Sequence, residues 1–185
     1  MPPRPRAARC TPTSATELGH GPASAAAGKP SGTAGRTVFI SELLGEHMVM
    51  SEERASVVTI RGEPATLLGP ELHVGDRAPD FAAVDAEWNE VRLSDFEGKV
   101  VLMSVVPSVD TSVCSLQTKR FNDEANRLPP NVVVLGISQD LPFALERFCG
   151  AEAVERLRML SDHVAADFGT SYGVLIQGMR LLARS

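Results

Sequence analysis

The sequence KVVLMSVVPSVDTSVC, Lys99 to Cys114, decides the fold expected for this chain. Its first half, Val100 to Val106, is an almost unbroken apolar run rich in β-branched residues, which predicts a central strand buried on both faces. Pro107 ends the strand, because proline cannot donate a backbone hydrogen bond and its φ is fixed. Short polar residues that favour turns and helix starts follow it: Ser108, Asp110, Thr111 and Ser112. Cys114 is therefore expected in the first turn of a helix, at the carboxyl end of that strand.

A cysteine at the start of a helix can have either of two roles. The first N–H groups of a helix lack partners within it and the helix dipole is positive there, so both favour a thiolate. In such settings the pKa of a cysteine falls from about 8.5 towards roughly 3.5–7.5. A buried cysteine can instead serve as a small apolar side chain. The position of Cys114 alone leaves both roles open.

The segments on either side of this stretch alternate between strand and helix patterns. Upstream, Ser56–Leu68 predicts a β-hairpin with its turn at Gly62-Glu63-Pro64. A second small hairpin is expected around Trp88, which we interpret as a structural cap at the turn. Downstream, Val113–Leu128 predicts a helix that is stopped by Pro129 and the proline after it. Its apolar residues recur at close to helical spacing: Val113, Leu116, Phe121, Ala125 and Leu128.

The second half of the chain continues the alternation. VVVLGIS predicts another fully buried strand, and the next helix is expected to open at Leu141 and to end at Gly150. A short strand over Arg158–Ser161 and a helix over Asp162–Tyr172 follow. Alternating strands and helices with short connections predict an α/β fold with a mostly parallel sheet and helices on both faces.

The composition narrows the class of protein. The 185 residues are 43% hydrophobic and 22% charged, which is ordinary for a globular domain. A net charge of −5 argues against a nucleic-acid partner, and no apolar run is long enough to cross a membrane. We expect a cytoplasmic protein.

The cysteines and histidines exclude several kinds of site. Three scattered cysteines do not form the disulfide framework of a secreted domain, and the absence of C-x-x-C argues against an ordinary thioredoxin-type oxidoreductase. No cysteine or histidine cluster has the spacing of metal ligands, so a metal site is not expected. His163 is expected on a helix surface.

The first 49 residues differ from the rest. They are rich in Pro, Ala, Ser, Thr and Gly without apolar periodicity, which predicts a disordered extension, followed by a domain over 50–185. Cys10 in this extension is interpreted as a bystander. A start of translation at Met48 or Met50 is favoured over a targeting role for the extension.

The string PSVDTSVC, Pro107 to Cys114, resembles the peroxidatic loop of the thiol peroxidases, a branch of the peroxiredoxins with two working cysteines in one chain. The resemblance continues through FCGAE at 148–152, YGVLI at 172–176 and LLAR at 181–184. It implies a thioredoxin-like fold with an N-terminal β-hairpin extension, a homodimer and no cofactor. The family continues past LLAR with a strand pair and a helix, so we expect this chain to be truncated at its C-terminus.

The resemblance also implies roles for residues of the loop. Cys114 would be the peroxidatic nucleophile, which attacks a hydroperoxide and becomes a sulfenic acid. Thr111 and Arg184 would bind the peroxide and the sulfur, and Pro107 would shield the pocket from water. Taken alone, Thr111 could be a plain helix N-cap, and Arg184 near the chain end could be a solvated charge.

Cys149 would be the resolving cysteine by the same resemblance, and thioredoxin would reduce the resulting disulfide. The helix that carries Cys149 would have to unwind locally before the two sulfurs could bond. The implied substrates are hydrogen peroxide and alkyl hydroperoxides. Three alternatives stay open: Cys149 as a packed core residue, a single-cysteine peroxidase that uses an external thiol, and a catalytically impaired truncated product.

Overall fold

The computed structural model describes residues 52–185 of the chain. The predicted extension over 1–49, with Cys10, Met48 and Met50, lies outside the described residues. The first part of the domain contains the strands β1 Glu53–Ile60, β2 Glu63–Leu68, β3 Ala82–Val84, β4 Glu90–Arg92 and β5 Val100–Val105, with a 3₁₀ helix at Leu93–Phe96 before β5. The second part contains α1 Ser112–Ala125, β6 Val132–Ser138, α2 Pro142–Glu152, β7 Arg158–Ser161, α3 Asp167–Ser171, β8 Leu175–Ile176 and β9 Leu181–Leu182. None of the helices among residues 52–185 has the length and apolar character needed to span a membrane.

The larger sheet has five strands in the order β4-β3-β7-β6-β5. β5, β6 and β7 run parallel, whereas β3 is antiparallel to β4 and β7. The expectation that Val100–Val106 forms a central strand buried on both faces is wrong: within the described residues β5 lies at the edge of this sheet, and β6 lies inside it. Val100 is 56% and Leu102 40% exposed. An apolar run predicts that its side chains are buried, but it does not predict the position of the strand in the sheet. The order of the strands depends on the connections between them.

Two apolar clusters lie on opposite faces of this sheet, because alternate side chains of a strand point to opposite sides. On β6, Leu135 and Ile137 join one cluster together with Phe168 of α3. Val134 joins the other, with Cys114 of α1 and several residues of α2. The predicted α/β fold with helices on both faces is thereby confirmed.

The second sheet is antiparallel, with the order β1-β2-β8-β9. The predicted hairpin over Ser56–Leu68 is present, but its turn lies at Arg61-Gly62, and Pro64 is already paired with Thr59. Gly62 has φ +89 and Arg61 φ 51, so the turn needs two left-handed residues, and glycine adopts that conformation without steric cost.

The apolar residues of α1 face the core only in part: Phe121 and Ala125 pack against the cluster that contains Cys114. The buried residues of the helix are Cys114, Thr118 and Asn122, four apart, while Val113 and Leu116 are 61% and 67% exposed. Asn122 lies inside because its side-chain oxygen accepts the N–H groups of residues 155 and 156, at 3.0 and 2.9 Å. A buried polar group with partners displaces an apolar residue from the core side, and the sequence pattern does not reveal those partners.

The ends of α2 and α3 also differ from the expectation. α2 continues through Gly150 to Glu152 and ends at Ala153, which has φ 52. The helix expected over Asp162–Tyr172 is reduced to α3, because the Asp162 carboxylate accepts the N–H groups of Phe168 and Gly169, both at 2.9 Å, and residues 163–165 form a turn. His163 therefore lies in a turn, with its Nδ1 2.8 Å from the Ser161 hydroxyl and its ring against Trp88.

Candidate active site

The turn between β5 and α1 places Cys114 as the third residue of α1. Thr111 has extended backbone angles, φ −90 and ψ 142, and caps the helix: its Oγ1 accepts the Cys114 N–H at 3.4 Å. The Thr111 N–H and hydroxyl both donate to the Ser108 carbonyl, each at 3.3 Å. The N-cap expected of Thr111 is thus present, and it fixes the turn on which Cys114 depends.

The sulfur of Cys114 lies against a guanidinium group. Cys114 is 0% exposed and takes part in no disulfide. Arg184 donates from Nη2 to the Cys114 Sγ at 3.2 Å, across 70 positions of sequence. Cation and sulfur are therefore in direct contact, with the sulfur buried and the arginine reaching it from the exposed side.

The pKa of the Cys114 thiol is lowered by these surroundings. Burial is the largest single influence and raises the pKa, but the Thr111 hydroxyl, the Ser108 backbone N–H and Arg184 together outweigh it. Arg184 acts both as a hydrogen-bond donor and through its charge. Hydrogen bonds and a cation stabilise the thiolate rather than the thiol, so the net direction favours the ionised sulfur.

Arg184 is held by its side chain and by the backbone of the residue that follows it. The N–H and the carbonyl of the next residue, Ser185, bond to Val105 of β5 at 3.2 and 2.9 Å. The second guanidinium nitrogen of Arg184, Nη1, donates to the Gln117 side-chain oxygen at 2.6 Å. Gln117 donates in turn to the Ser104 hydroxyl at 2.9 Å. Arg184 is thus not a freely solvated charge, because its two guanidinium nitrogens bind Gln117 and Cys114 and the next residue is paired with β5.

Gln117 belongs to the site, although the sequence did not lead us to predict it there. It lies three residues after Cys114, hence on the same side of α1, and this spacing is a usable signal. Its contacts orient Arg184 without touching the sulfur. The helical spacing shows which residues are neighbours, but only the position of Arg184 shows what Gln117 contacts.

Cys149 lies in the apolar cluster that contains Cys114. It is 0% exposed and lies in the second half of α2. Pro107 is half-buried between Val106 and Val109, both of which are buried in that cluster. The structure therefore brings Thr111, Cys114 and Arg184 into one hydrogen-bonded group and places Cys149 in the apolar layer next to it.

A cavity of about 430 Å³ opens beside the turn. The turn and the start of α1 form one side of it and the second half of α2 forms the other. It is lined by Val109, Asp110, Thr111, Ser112, Ser115, Arg147, Phe148, Ala151 and Glu152. Arg147 and Asp110 form an exposed ion pair at its edge, at 3.1 Å. As for metal binding, no three His, Cys, Asp or Glu side chains group as metal ligands in the described range 52–185.

Comparison with known families gives a match over most of the domain. Residues 74–185 match the AhpC/TSA family. The chain is 54% identical over 130 residues to a thiol peroxidase of Oceanobacillus iheyensis, covering 70% of this chain and 79% of that one. It is 50% identical over 128 residues to a thiol peroxidase of Bacillus subtilis, covering 69% and 76%.

Solved structures give a consistent picture. A peroxiredoxin-like protein from Aquifex aeolicus superimposes with a TM-score of 0.64 at 40% identity, over 69% of this chain and 75% of that one. A thiol peroxidase from Chromobacterium violaceum superimposes with a TM-score of 0.57 at 26% identity, over 66% and 71%.

Proposed function

Because the chain belongs to the AhpC/TSA family and is a peroxidase of the peroxiredoxin type, we propose that Cys114 is its peroxidatic nucleophile. The Cys114 thiolate attacks the terminal oxygen of a hydroperoxide, so that an S–O bond forms while the O–O bond breaks. The departing hydroxide or alkoxide takes up a proton and leaves as water or alcohol, and the sulfur remains as a sulfenic acid. The contact between Arg184 and the Cys114 sulfur, at 3.2 Å, carries this proposal.

Thr111 and Arg184 would assist the same step. As the O–O bond lengthens, negative charge passes from the sulfur to the leaving oxygen, and donors already in place stabilise it without reorganisation. The Thr111 hydroxyl and the Arg184 guanidinium both neighbour the sulfur, and Gln117 holds Arg184 by a second hydrogen bond. Pro107, half-buried beside the turn, would help to exclude water.

The substrates we propose are hydrogen peroxide and alkyl hydroperoxides. The cavity beside the turn has apolar side chains, Val109, Phe148 and Ala151, that would contact an alkyl group while Thr111 faces the peroxide. Since the sulfur itself is fully buried, the peroxide would enter as the turn or α2 opens locally.

We propose that Cys149 resolves the sulfenic acid. Its thiolate would attack the Cys114 sulfur and displace hydroxide, which leaves as water, and the resulting disulfide would be reduced by the dithiol of thioredoxin. Because Cys149 is buried within α2, part of this helix would have to unwind first. A homodimer, implied by resemblance, stays a prediction.

Rapid mixing of the full chain with hydrogen peroxide tests these roles. We expect Cys114→Ser to abolish the reaction. Cys149→Ser should still form one sulfenic acid per chain, seen as a gain of one oxygen by intact mass, but should lose turnover with thioredoxin. The wild-type chain should lose two hydrogens, with the bond mapped to Cys114 and Cys149.

Two results would contradict the proposal. A wild-type rate no greater than that of free cysteine would remove the peroxidatic role of Cys114. Full turnover of Cys149→Ser with thioredoxin would favour the single-cysteine alternative, in which an external thiol resolves the sulfenic acid.

A further inference from the structure

Asp140 lies where β6 leads into α2, and its carboxylate contacts the turn that precedes Cys114. One oxygen accepts the Ser108 hydroxyl at 2.8 Å. The other accepts the Val109 N–H at 2.8 Å and the Ser138 hydroxyl at 2.9 Å. Asp140 therefore joins the Ser108–Val109 turn to the end of β6 through both of its oxygens.

Asp140 is itself fixed from two sides. Its N–H donates to the Ser138 hydroxyl at 3.2 Å, and its carbonyl accepts the hydroxyl of Ser161 at the end of β7. A half-buried carboxylate held by this many neighbours has little freedom to move, so it can serve as a fixed reference for the more exposed turn.

The turn that Asp140 holds is the one that supplies donors to the sulfur. The Ser108 carbonyl accepts both the N–H and the hydroxyl of Thr111, and Thr111 Oγ1 in turn accepts the Cys114 N–H at 3.4 Å. The Ser108 N–H is among the groups that lower the pKa of Cys114. Residues 110–112 are exposed, so burial contributes little to holding this part of the turn. A rotation of the Ser108 peptide would displace both the Ser108 N–H and the Thr111 hydroxyl.

We propose that Asp140 is a positioning residue, whose carboxylate clamps the Ser108–Val109 turn so that Ser108 and the Thr111 N-cap keep their places beside Cys114. Asp140 does not contact the sulfur or the peroxide. The inference deepens the proposed function and rests on it for the identity of the reacting thiol.

The direction in which one substitution shifts the pKa of Cys114 separates a clamp from a plain effect of charge. Asp140→Asn keeps one acceptor oxygen and replaces the other by an NH₂ group. In either orientation of the amide, the Ser108 hydroxyl or the Val109 N–H loses its acceptor. If Asp140 acted through its negative charge alone, the substitution would lower the pKa of the Cys114 thiol. If Asp140 acts as a clamp, the loosened turn withdraws donors from the thiolate, and the pKa rises.

The experiment follows the alkylation of Cys114 by iodoacetamide across pH, by peptide mass, in the full-length chain. We expect Asp140→Asn to raise the pKa of Cys114 by about one unit, which is about a tenfold smaller thiolate fraction at low pH. Ser108→Ala should give a smaller shift of the same sign, because the Val109 N–H is still held. The double variant should match Asp140→Asn, since both changes break the same clamp.

Asp80→Asn is the matched control. Asp80 accepts the N–H and the hydroxyl of Ser94, at 3.0 and 3.1 Å, and so makes the same kind of contact elsewhere in the fold. We expect it to leave the pKa of Cys114 unchanged. A pKa that is unchanged or lower in Asp140→Asn, or a rise of equal size in Asp80→Asn, would overturn the proposal.

The proposal stays testable if one variant does not fold or if the wild-type chain reacts slowly with peroxide. If Asp140→Asn does not fold, as judged by circular dichroism, Ser108→Ala alone decides: a raised pKa supports the clamp and an unchanged pKa overturns it. The alkylation measurement needs no peroxide. A slow wild-type reaction with peroxide would therefore reject the proposed function while leaving the role of Asp140 on Cys114 measurable.

Discussion

Cys114 and Cys149 are equally buried, at 0% exposure, and belong to the same apolar cluster, yet they lie at opposite ends of their helices. Cys114 is the third residue of α1, where N–H groups point towards the preceding turn. Cys149 lies three residues before the end of α2, and its carbonyl accepts the Val154 N–H at 3.1 Å. The surroundings of Cys114 are thus rich in donors, whereas the end of α2 presents carbonyl oxygens.

The comparison shows that burial does not by itself decide what a cysteine can do. Burial alone raises the pKa of Cys114, but the Thr111 hydroxyl, the Ser108 N–H and Arg184 reverse that effect. The position of donors around a buried sulfur therefore determines its chemistry. The predictions below test whether the donors around Cys114 account for the difference in reactivity that we propose between the two cysteines.

The largest expected effect comes from Arg184. Arg184→Ala removes a donor and a positive charge from the sulfur, so we expect the rate with peroxide to fall by about 10²-fold. Arg184→Lys should lower the rate by an intermediate factor. An ammonium group keeps the charge but cannot contact both Cys114 and Gln117, as the two nitrogens of a guanidinium group do. Stopped-flow measurement of sulfenic acid formation gives the rates.

Arg120→Ala is the control for Arg184. Arg120 lies on the outer side of α1, where its side chain is 75% exposed and forms an ion pair with Glu124 at 3.0 Å. Its removal should leave the rate unchanged. Equal losses in both variants would mean that the general charge of the protein, rather than the contact with Cys114, drives the reaction.

A smaller effect is expected at Thr111. The lowered pKa means that the alkylation rate of Cys114 rises with pH and levels off at a lower pH than for an ordinary thiol. Thr111→Val removes a hydroxyl that stabilises the thiolate, so the curve should move up by about one pH unit. Loss of the N-cap should also lower the free energy of unfolding by about 1 kcal/mol. Thr111→Ser keeps the hydroxyl and should restore both properties.

Ionisation of Cys114 should also affect stability. Because the pKa of Cys114 is lower in the folded chain than in the unfolded chain, the thiolate stabilises the fold above the unfolded pKa. That contribution is lost as the pH falls through the folded pKa. A stability difference between wild type and Cys114→Ser that does not change with pH would argue against a stabilised thiolate.

The smallest effect concerns the helix that carries Cys149. Gly150 is exposed inside α2, and a Cβ placed on it would meet nothing within 4 Å. Gly150→Ala should therefore stabilise α2 by about 0.5–1 kcal/mol. If α2 must unwind before the disulfide forms, bond formation should slow by about two- to fivefold, while sulfenic acid formation stays unchanged. Rapid quenching followed by mass analysis separates the two steps, and an unchanged rate of disulfide formation would mean that unwinding of α2 is not required.

Much of the local structure around Cys114 follows from the sequence by itself. Pro107 lacks an N–H and ends the strand, and Thr111 is a good N-cap, so the placement of Cys114 in the first turn of α1 was predictable. These preferences act over one turn of chain and need no information from distant segments. The hairpin over Ser56–Leu68 was predictable for the same reason, although its turn was misplaced by one or two residues.

The tertiary structure alone decided what surrounds that helix start. Arg184 reaches Cys114 from 70 positions away, Asp140 holds the turn from 31 and 32 positions away, and β5 lies at the sheet edge rather than its centre. Such contacts depend on strand order and on which side of a helix faces inward. Both are settled by the packing of the whole domain, because an apolar pattern specifies that a residue is buried but not which residue it is buried against.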